Sequence, residues 1–296
     1  MKFYFISMAY TYDDIISQME TDGHTVKQLT NLDFIELYCG RDYLTEWIEN
    51  DIAAFAPDYV INNIPSIRLS SSSAYTYIGN TVASSNLDLE KWNSRTKAAE
   101  LGWNLAEVLE ECTMKTVSTS HTDTIFLKPK YWDDTHVSWK IPAGADIAAH
   151  NTNFGSHEAF VEKDIQLDRE FVCDFIMSNG SYHIYGIEAF DDFSESKVYG
   201  NYAKNWKDNT VKVSWTQAEE DAFKALCVKW LDFAATKGGN YEGDITGAIK
   251  DGQFYWFEQN CKKGPRGTFT GDYQDWLNTL KGDLTKASNY TWEYFS

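Results

Sequence analysis

Residues 254–267 read FYWFEQNCKKGPRG: four aromatic positions run into Glu258, Asn260 follows one residue later, and then come lysines, glycines and an arginine. An aromatic run bounded by turn residues reads as a strand. On a strand, positions i and i+2 point to the same face, so Glu258 and Asn260 emerge side by side. Both offer hard oxygen donors, which suit Mg²⁺ rather than zinc. The pair alone equally describes a strand end with a solvated Glu and an Asn capping a turn. Just upstream, Asp251-Gly252 is a hairpin signal, and the preceding run, residues 244–249, would bring Asp244 alongside. Asp244, Glu258 and Asn260 are therefore candidate ligands of one metal ion.

The bulk composition bounds what such a site can serve. The chain has 296 residues, 43% of them hydrophobic and 16% aromatic, which predicts folded cores rather than disorder. That length suits two or three subdomains better than one compact unit. With 44 Asp and Glu against 26 Lys and Arg, the net charge is -18. Nucleic acid and anionic membrane are disfavoured as partners, because both would be repelled; a local basic pocket for a small anion is not. Cys39, Cys112, Cys173, Cys227 and Cys261 are odd in number and form no CxxC, a pattern of free thiols in a reducing compartment. The N-terminal MKFYFISMAYTYDD turns acidic too early for a signal peptide. No segment approaches the ~20 apolar residues of a membrane span. The expected location is the cytoplasm.

Along the chain, short apolar strands at 3–7, 24–29 and 58–61 alternate with helical patterns at 13–20 and 44–55. That alternation predicts a small doubly wound α/β unit, bounded by the Ser-rich connection 62–73. It contains no GxGxxG. Helical patterns follow at 87–102 and 104–112, then a strand at 124–127 that ends on Lys128-Pro129-Lys130, and another at 159–161. Strand-like runs at 170–177 and 182–189 flank Asn179-Gly180, a second hairpin signal. Thr216 and Glu219 form a capping box at the start of a helix that Gly238-Gly239 ends.

Several charged residues sit where ligands of α/β proteins bind. Lys128 follows a buried strand, a position from which an ammonium can neutralise a phosphate as a point charge. Glu162, Lys163 and Ile165 follow the next strand, and Glu170 begins the one after. Arg95 lies on a helix; Lys262, Lys263 and Arg266 follow Asn260. Taken singly, each is equally a solvated surface charge.

The order of these features resembles the ATP-grasp family of carboxylate–amine ligases over nearly the whole chain. DGQFYWFEQNCKKGP is similar to the strand on which D-alanine–D-alanine ligase-like and glycinamide ribonucleotide synthetase-like members carry their Mg²⁺ ligands; the resemblance assigns that role to Glu258, Asn260 and Asp244. FLKPK is similar to the family's Lys-Pro motif, which implies that Lys128 touches the nucleotide phosphates, with Lys130 in the same nucleotide-binding set. Arg95 takes the place of a phosphate-binding helix lysine. Glu162, Lys163 and Ile165 match the hinge that reads adenine, and Glu170 matches the acid on the ribose hydroxyls. Where the family's lid has a Gly-rich phosphate loop, this chain has YWDDTHVSWKIPAGAD, with Gly144 its one glycine and Lys140 a candidate phosphate contact.

The resemblance implies an α/β chain with α+β subdomains: a pre-ATP-grasp subdomain over 1–85, then an ATP-grasp domain over 86–296. Within the latter it implies a lid at about 124–165 and a metal- and nucleotide-binding subdomain at about 166–296. ATP and Mg²⁺ are the implied cofactors. Small-molecule carboxylate and amine substrates are the implied partners, joined through an acyl phosphate with release of ADP. Lys262 and Arg266, with Lys263, become candidates for holding a phosphate or the substrate carboxylate during catalysis. The same scaffold also accommodates a kinase-type phosphoryl transfer or a catalytically silent acidic interaction protein, and the sequence does not separate these.

Overall fold

The computed structural model describes residues 1–7, 11–30, 41–70, 72–113, 116–118, 120–131, 139–147, 158–190, 213–261 and 268–293. The chain opens with β1 (Lys2–Ile6), α1 (Asp13–Thr21), β2 (Thr25–Leu29), α2 (Arg41–Phe55), β3 (Tyr59–Asn62) and β4 (Thr76–Gly79). The strands form a parallel sheet in the order β2-β1-β3-β4. Helices cover both faces, which is why β1 and β3 are apolar without alternation. Tyr4 and Ile6 pack with Leu44, Ile48 and Ile52 of α2, while Phe3 and Phe5 face Ile15 and Met19 of α1. The doubly wound unit expected from the sequence is present. Its fourth strand, β4, was not foreseen.

Two further expectations need correction. The helical pattern over 87–102 is two helices, α3 (Val82–Leu89) and α4 (Lys91–Glu100), broken at Glu90 (φ -99°, ψ 70°). Tertiary hydrogen bonds hold the break: the Trp92 N–H donates to the Lys130 carbonyl, and the Ser94 hydroxyl donates to the Leu87 carbonyl. The stretch expected as a helix over 104–112 contains instead a strand, β5 (Val108–Thr113). Asn104 exchanges backbone hydrogen bonds with Phe254 and Trp256, so the chain leaves α4 extended. Strand pairing then overrides the helix propensity of the glutamates.

β5 pairs antiparallel with β8 (Glu158–Lys163) in a small sheet of order β5-β8-β6-β7, completed by β6 (Ile125–Pro129) and β7 (Trp139–Ile141). One face buries Ile125, Leu127, Ile141, Ala159 and Val161. Alternation along the strands sends Phe126, Lys128, Phe160 and Glu162 to the other.

The central sheet is antiparallel, of order β10-β9-β11-β12: β9 (Arg169–Ser178), β10 (Ser181–Phe190), β11 (Asn240–Lys250) and β12 (Gln253–Asn260). Its hairpins turn on Asn179-Gly180 (φ 49° and 77°) and Asp251-Gly252 (φ 50° and 73°), left-handed at both central positions as tight two-residue turns require. Between the hairpins runs α5 (Gln217–Ala235), started by the expected Thr216/Glu219 capping box. α5 lays Phe223, Cys227, Trp230 and Leu231 on the face that carries Phe171, Cys173, Phe175 and Trp256. The end of the chain, with β13 (Thr268–Thr270), α6 (Tyr273–Leu280) and β14 (Thr291–Glu293), returns to the beginning: Trp276, Tyr290 and Trp292 join Phe5, Tyr12 and Ile15 in one core. Among the described residues no helix is long and apolar enough to cross a membrane.

Candidate active site

The face of the central sheet opposite α5 is polar and acidic. Asp244 of β11 lies between Asp174 of β9 and Asn260 of β12 in the register of the three strands. A register shift between Thr246 and Gly247 leaves Phe257 as an extra residue on β12. Such a bulge reverses the facing of a strand. Trp256 therefore stays in the aromatic core, whereas Glu258, opposite Thr246, and Asn260 look out of the other face. The Asn260 amide donates to Asp244 Oδ1 at 2.8 Å, and the Thr246 hydroxyl donates to the same oxygen at 3.2 Å. Gly243 permits this approach, since a Cβ there would lie 2.2 Å from the Asn260 carbonyl oxygen. Beyond Asn260 the backbone is clamped: the Cys261 N–H donates to Asp88 at 3.0 Å, and the Asn80 amide donates to the Cys261 carbonyl at 2.7 Å.

Facing these donors are cations from α4 and the small sheet. The buried Glu162 carboxylate is held by Arg95 Nε at 3.0 Å and Lys128 Nζ at 2.6 Å. Arg95 also donates to the Ala106 carbonyl and lies 6.0 Å from the Phe160 ring centre. Burial lowers its pKa from the ordinary value, and the Glu162 charge opposes that shift. Lys128 Nζ stands 5.8 Å from the ring centres of both Phe126 and Phe257. The second ring belongs to the bulge residue next to Glu258, so this contact joins the small sheet to β12. Glu258 itself is paired with Lys91.

Lys91 was not foreseen as a site residue. The available signal was its place one helical turn before Arg95, on the same face of α4. Arg95, Lys128 and Glu162 converge directly, and Asp244 meets Asn260. Other expected site residues stand apart from that cluster. Lys130 pairs with Glu111 at 2.7 Å and stacks over Trp92 at 4.6 Å; its hydrogen bond to Glu111 raises its pKa. Lys163 pairs with Asp123 at the surface and gives its backbone N–H to Glu107. Ile165 is half-buried between β8 and β9, and Glu170 is buried at the start of β9. Lys140 pairs with Asp164 at 3.3 Å. Lys262, Lys263 and Arg266 lie outside the described residues, as do residues 132–138 of the YWDDTHVSWKIPAGAD stretch.

Among the described residues, no three His, Cys, Asp or Glu side chains are grouped as a metal site. Asp244, Glu258 and Asn260 are instead two carboxylates and an amide on one sheet face. That donor chemistry fits a hard divalent cation such as Mg²⁺.

Three sheets with this connectivity, the cations of one facing the acids of another, form the ATP-grasp fold. The L-amino acid ligase from Bacillus licheniformis is similar with a TM-score of 0.60 at 13% identity, over 89% of this chain and 67% of that one. The D-alanine–D-alanine ligase from Bacillus anthracis complexed with ATP is similar at 0.54 and 14% identity, over 88% and 85%. The N5-carboxyaminoimidazole synthase from Aspergillus clavatus, in complex with ADP and its ribonucleotide, is similar at 0.57 and 11% identity, over 88% and 69%. At these identities the likeness is one of fold. No protein-family model and no curated sequence matches the chain.

Proposed function

We propose that this chain is an ATP- and Mg²⁺-dependent, ADP-forming ligase that joins a small-molecule carboxylate to an amine. The observation that carries the reading is the convergence of Arg95 on α4 and Lys128 on the small sheet at Glu162, with Lys128 over Phe257 next to the face that carries Asp244, Glu258 and Asn260. The ATP- and ADP-bound ligases among the similar structures support it.

In this reading Asp244, Glu258 and Asn260 hold Mg²⁺, which neutralises the phosphate oxygens and orients the transferred group when bound. Lys128 and Arg95 exchange the Glu162 carboxylate for phosphate oxygens. They then act as preorganised positive charge where negative charge shifts during transfer. Ile165 and the backbone of Glu162 and Lys163 line the adenine, Glu170 receives the ribose hydroxyls, and Lys130 and Lys140 flank the nucleotide cleft. The small sheet, with residues 124–165, serves as the lid. The substrate carboxylate attacks the γ-phosphate, and the amine displaces phosphate from the resulting acyl phosphate. Lys262 and Arg266 hold that carboxylate.

The test is ADP release screened over paired amino acids and amines, with Glu258→Gln as the control. ADP formation that requires both an acid and an amine supports the ligase. ADP formation with one acceptor alone would make it a kinase, and no Mg²⁺-dependent ATP binding would leave an interaction protein on the same scaffold.

A further inference from the structure

Asn80, Ser84 and Asp88 stand four residues apart, the first just ahead of α3 and the others along it, so they share one face. That face is buried: the three are 8%, 0% and 7% exposed. A buried helix face is ordinarily an apolar stripe. Ser84 has a local reason to be there, the capping box it forms with Thr81. Asn80 and Asp88 belong to no such box, and buried polar groups need partners. The stripe meets one residue. The Cys261 N–H donates to Asp88 Oδ2 at 3.0 Å, the Asn80 amide donates to the Cys261 carbonyl at 2.7 Å, and the Cys261 thiol donates to the Ser84 carbonyl at 3.1 Å. Cys261 directly follows Asn260. β12 is the outer strand of its sheet, and its ladder with β11 stops at the pair of Asp244 and Asn260. Beyond that pair, α3 supplies the hydrogen bonds that a further strand would. On the other side of Asn260, Gln259 accepts from Trp230 Nε1 and donates to Cys261 Sγ at 3.0 Å. Asn260 is therefore fixed through both of its neighbours.

We infer that Asp88 and Asn80 are positioning residues of the metal site: by holding both backbone groups of Cys261, they fix the end of β12 so that the Asn260 amide stays against Asp244. This rests on the Mg²⁺-binding reading above and adds to it the support behind one of its donors. Neither residue is a ligand; both act through the backbone of Cys261. The Asp88 carboxylate makes a charge-assisted hydrogen bond, stronger than one between neutral groups. Its helix is itself held at the start, where the Thr81 hydroxyl donates to the Lys237 carbonyl at 2.8 Å and the Ser84 hydroxyl donates to Asn80 Oδ1 at 3.2 Å. A donor set supported from a rigid element keeps its geometry before the cation arrives, and so loses less order on binding it.

The test reads metal binding and nucleotide binding apart, without turnover. Mn²⁺ is titrated alone by electron paramagnetic resonance, and ATP is titrated alone in EDTA by calorimetry, for wild type, Asp88→Ala, Asp88→Asn and Asn80→Ala. Thr216→Ala, on α5, is the control for lost stability. In Asp88→Ala and Asn80→Ala, Mn²⁺ binding weakens about tenfold, the lower end of the range for residues that orient metal ligands from behind, and ATP binding in EDTA is unchanged. Asp88→Asn, whose amide oxygen still accepts from the Cys261 N–H, recovers most of the Mn²⁺ affinity, and Thr216→Ala keeps all of it. α3 runs directly into α4, which carries Arg95, so a merely structural loss of α3 would weaken ATP in step with Mn²⁺. Equal loss of both ligands overturns the inference, as does unchanged Mn²⁺ binding in the alanine variants. Should Asp88→Ala not fold, Asn80→Ala decides alone. If wild type binds no Mn²⁺, or Glu258→Gln binds it equally well, the Mg²⁺ reading itself fails and the inference falls with it.

Discussion

Two buried glutamates of this molecule, Glu162 and Glu242, are held in different ways. Glu162, on the small sheet, is gripped by Arg95 and Lys128. Glu242, on β11 two residues before Asp244, accepts hydrogen bonds from Trp292 Nε1 at 2.8 Å, Trp276 Nε1 at 3.1 Å and the Tyr185 hydroxyl at 3.1 Å. The charged partners of Glu162 sit on flexible stems, and they suit any anion of similar shape, including phosphate. The neutral donors around Glu242 are ring systems locked in a packed core with Tyr12 and Tyr290, and they cannot be re-aimed. The first arrangement is exchangeable, as the proposed nucleotide site requires; the second is a permanent joint between the central sheet, the N-terminal unit and the end of the chain.

The joint should give the largest effect. Glu242→Ala leaves three buried donors without their acceptor, at about 1–3 kcal/mol each. A loss of roughly 4 kcal/mol or more in urea unfolding is expected, and Glu242→Gln should lose less. If Glu242→Ala proved milder than Glu162→Ala, the contrast drawn here would be reversed. Next comes Lys128→Met, which leaves Glu162 with Arg95 alone. Removing one partner of a buried ion pair costs about 3–5 kcal/mol; because Arg95 stays on Glu162 the loss falls below that range, and ATP binding should fall at least tenfold in calorimetry. Glu162→Gln sharpens the point: it should cost stability yet tighten ATP binding in EDTA, because it frees both cations.

Gly243→Ala tests the strand approach that lets Asn260 meet Asp244. Its Cβ would need the Asn260 carbonyl to move, at a cost of about 1–3 kcal/mol, with weakened Mn²⁺ binding when the metal is titrated alone and followed by electron paramagnetic resonance. The smallest change is expected far from both carboxylates. Thr216→Ala removes the helix cap of α5 and should cost about 1 kcal/mol in thermal melting, with ATP affinity unaltered. Glu219, in the same box, has its pKa lowered chiefly by the Thr216 N–H. Its contribution is present above the ordinary carboxylate value and is lost as pH falls through the lowered one. Glu219→Gln should therefore flatten the acid limb of the stability profile.

Much of the architecture was legible because it rests on local rules. Asn179-Gly180 and Asp251-Gly252 announce hairpins whatever surrounds them, since left-handed backbone is cheap there. The Thr216/Glu219 box is likewise self-contained. The helix misread over 104–112 shows where such rules stop: VLEECT carries helix-tolerant glutamates, and its backbone partner, β8, lies far along the chain. Lys91 was hidden for a related reason. A lysine in a helical stretch is ordinary until Glu258, far along the chain, is seen paired with it.

The sequence by itself determined the hairpins, the long capped helix and the i, i+2 pairing of Glu258 with Asn260, because each depends on the geometry of neighbouring residues. Tertiary structure decided which charges meet. The bulge at Phe257 chose the face on which Glu258 and Asn260 emerge, and the docking of α4 on β12 and against the small sheet brought Lys91 to Glu258 and Arg95 to Glu162. Charge pairing acts through space between residues distant in the chain, and only the packed fold sets those distances.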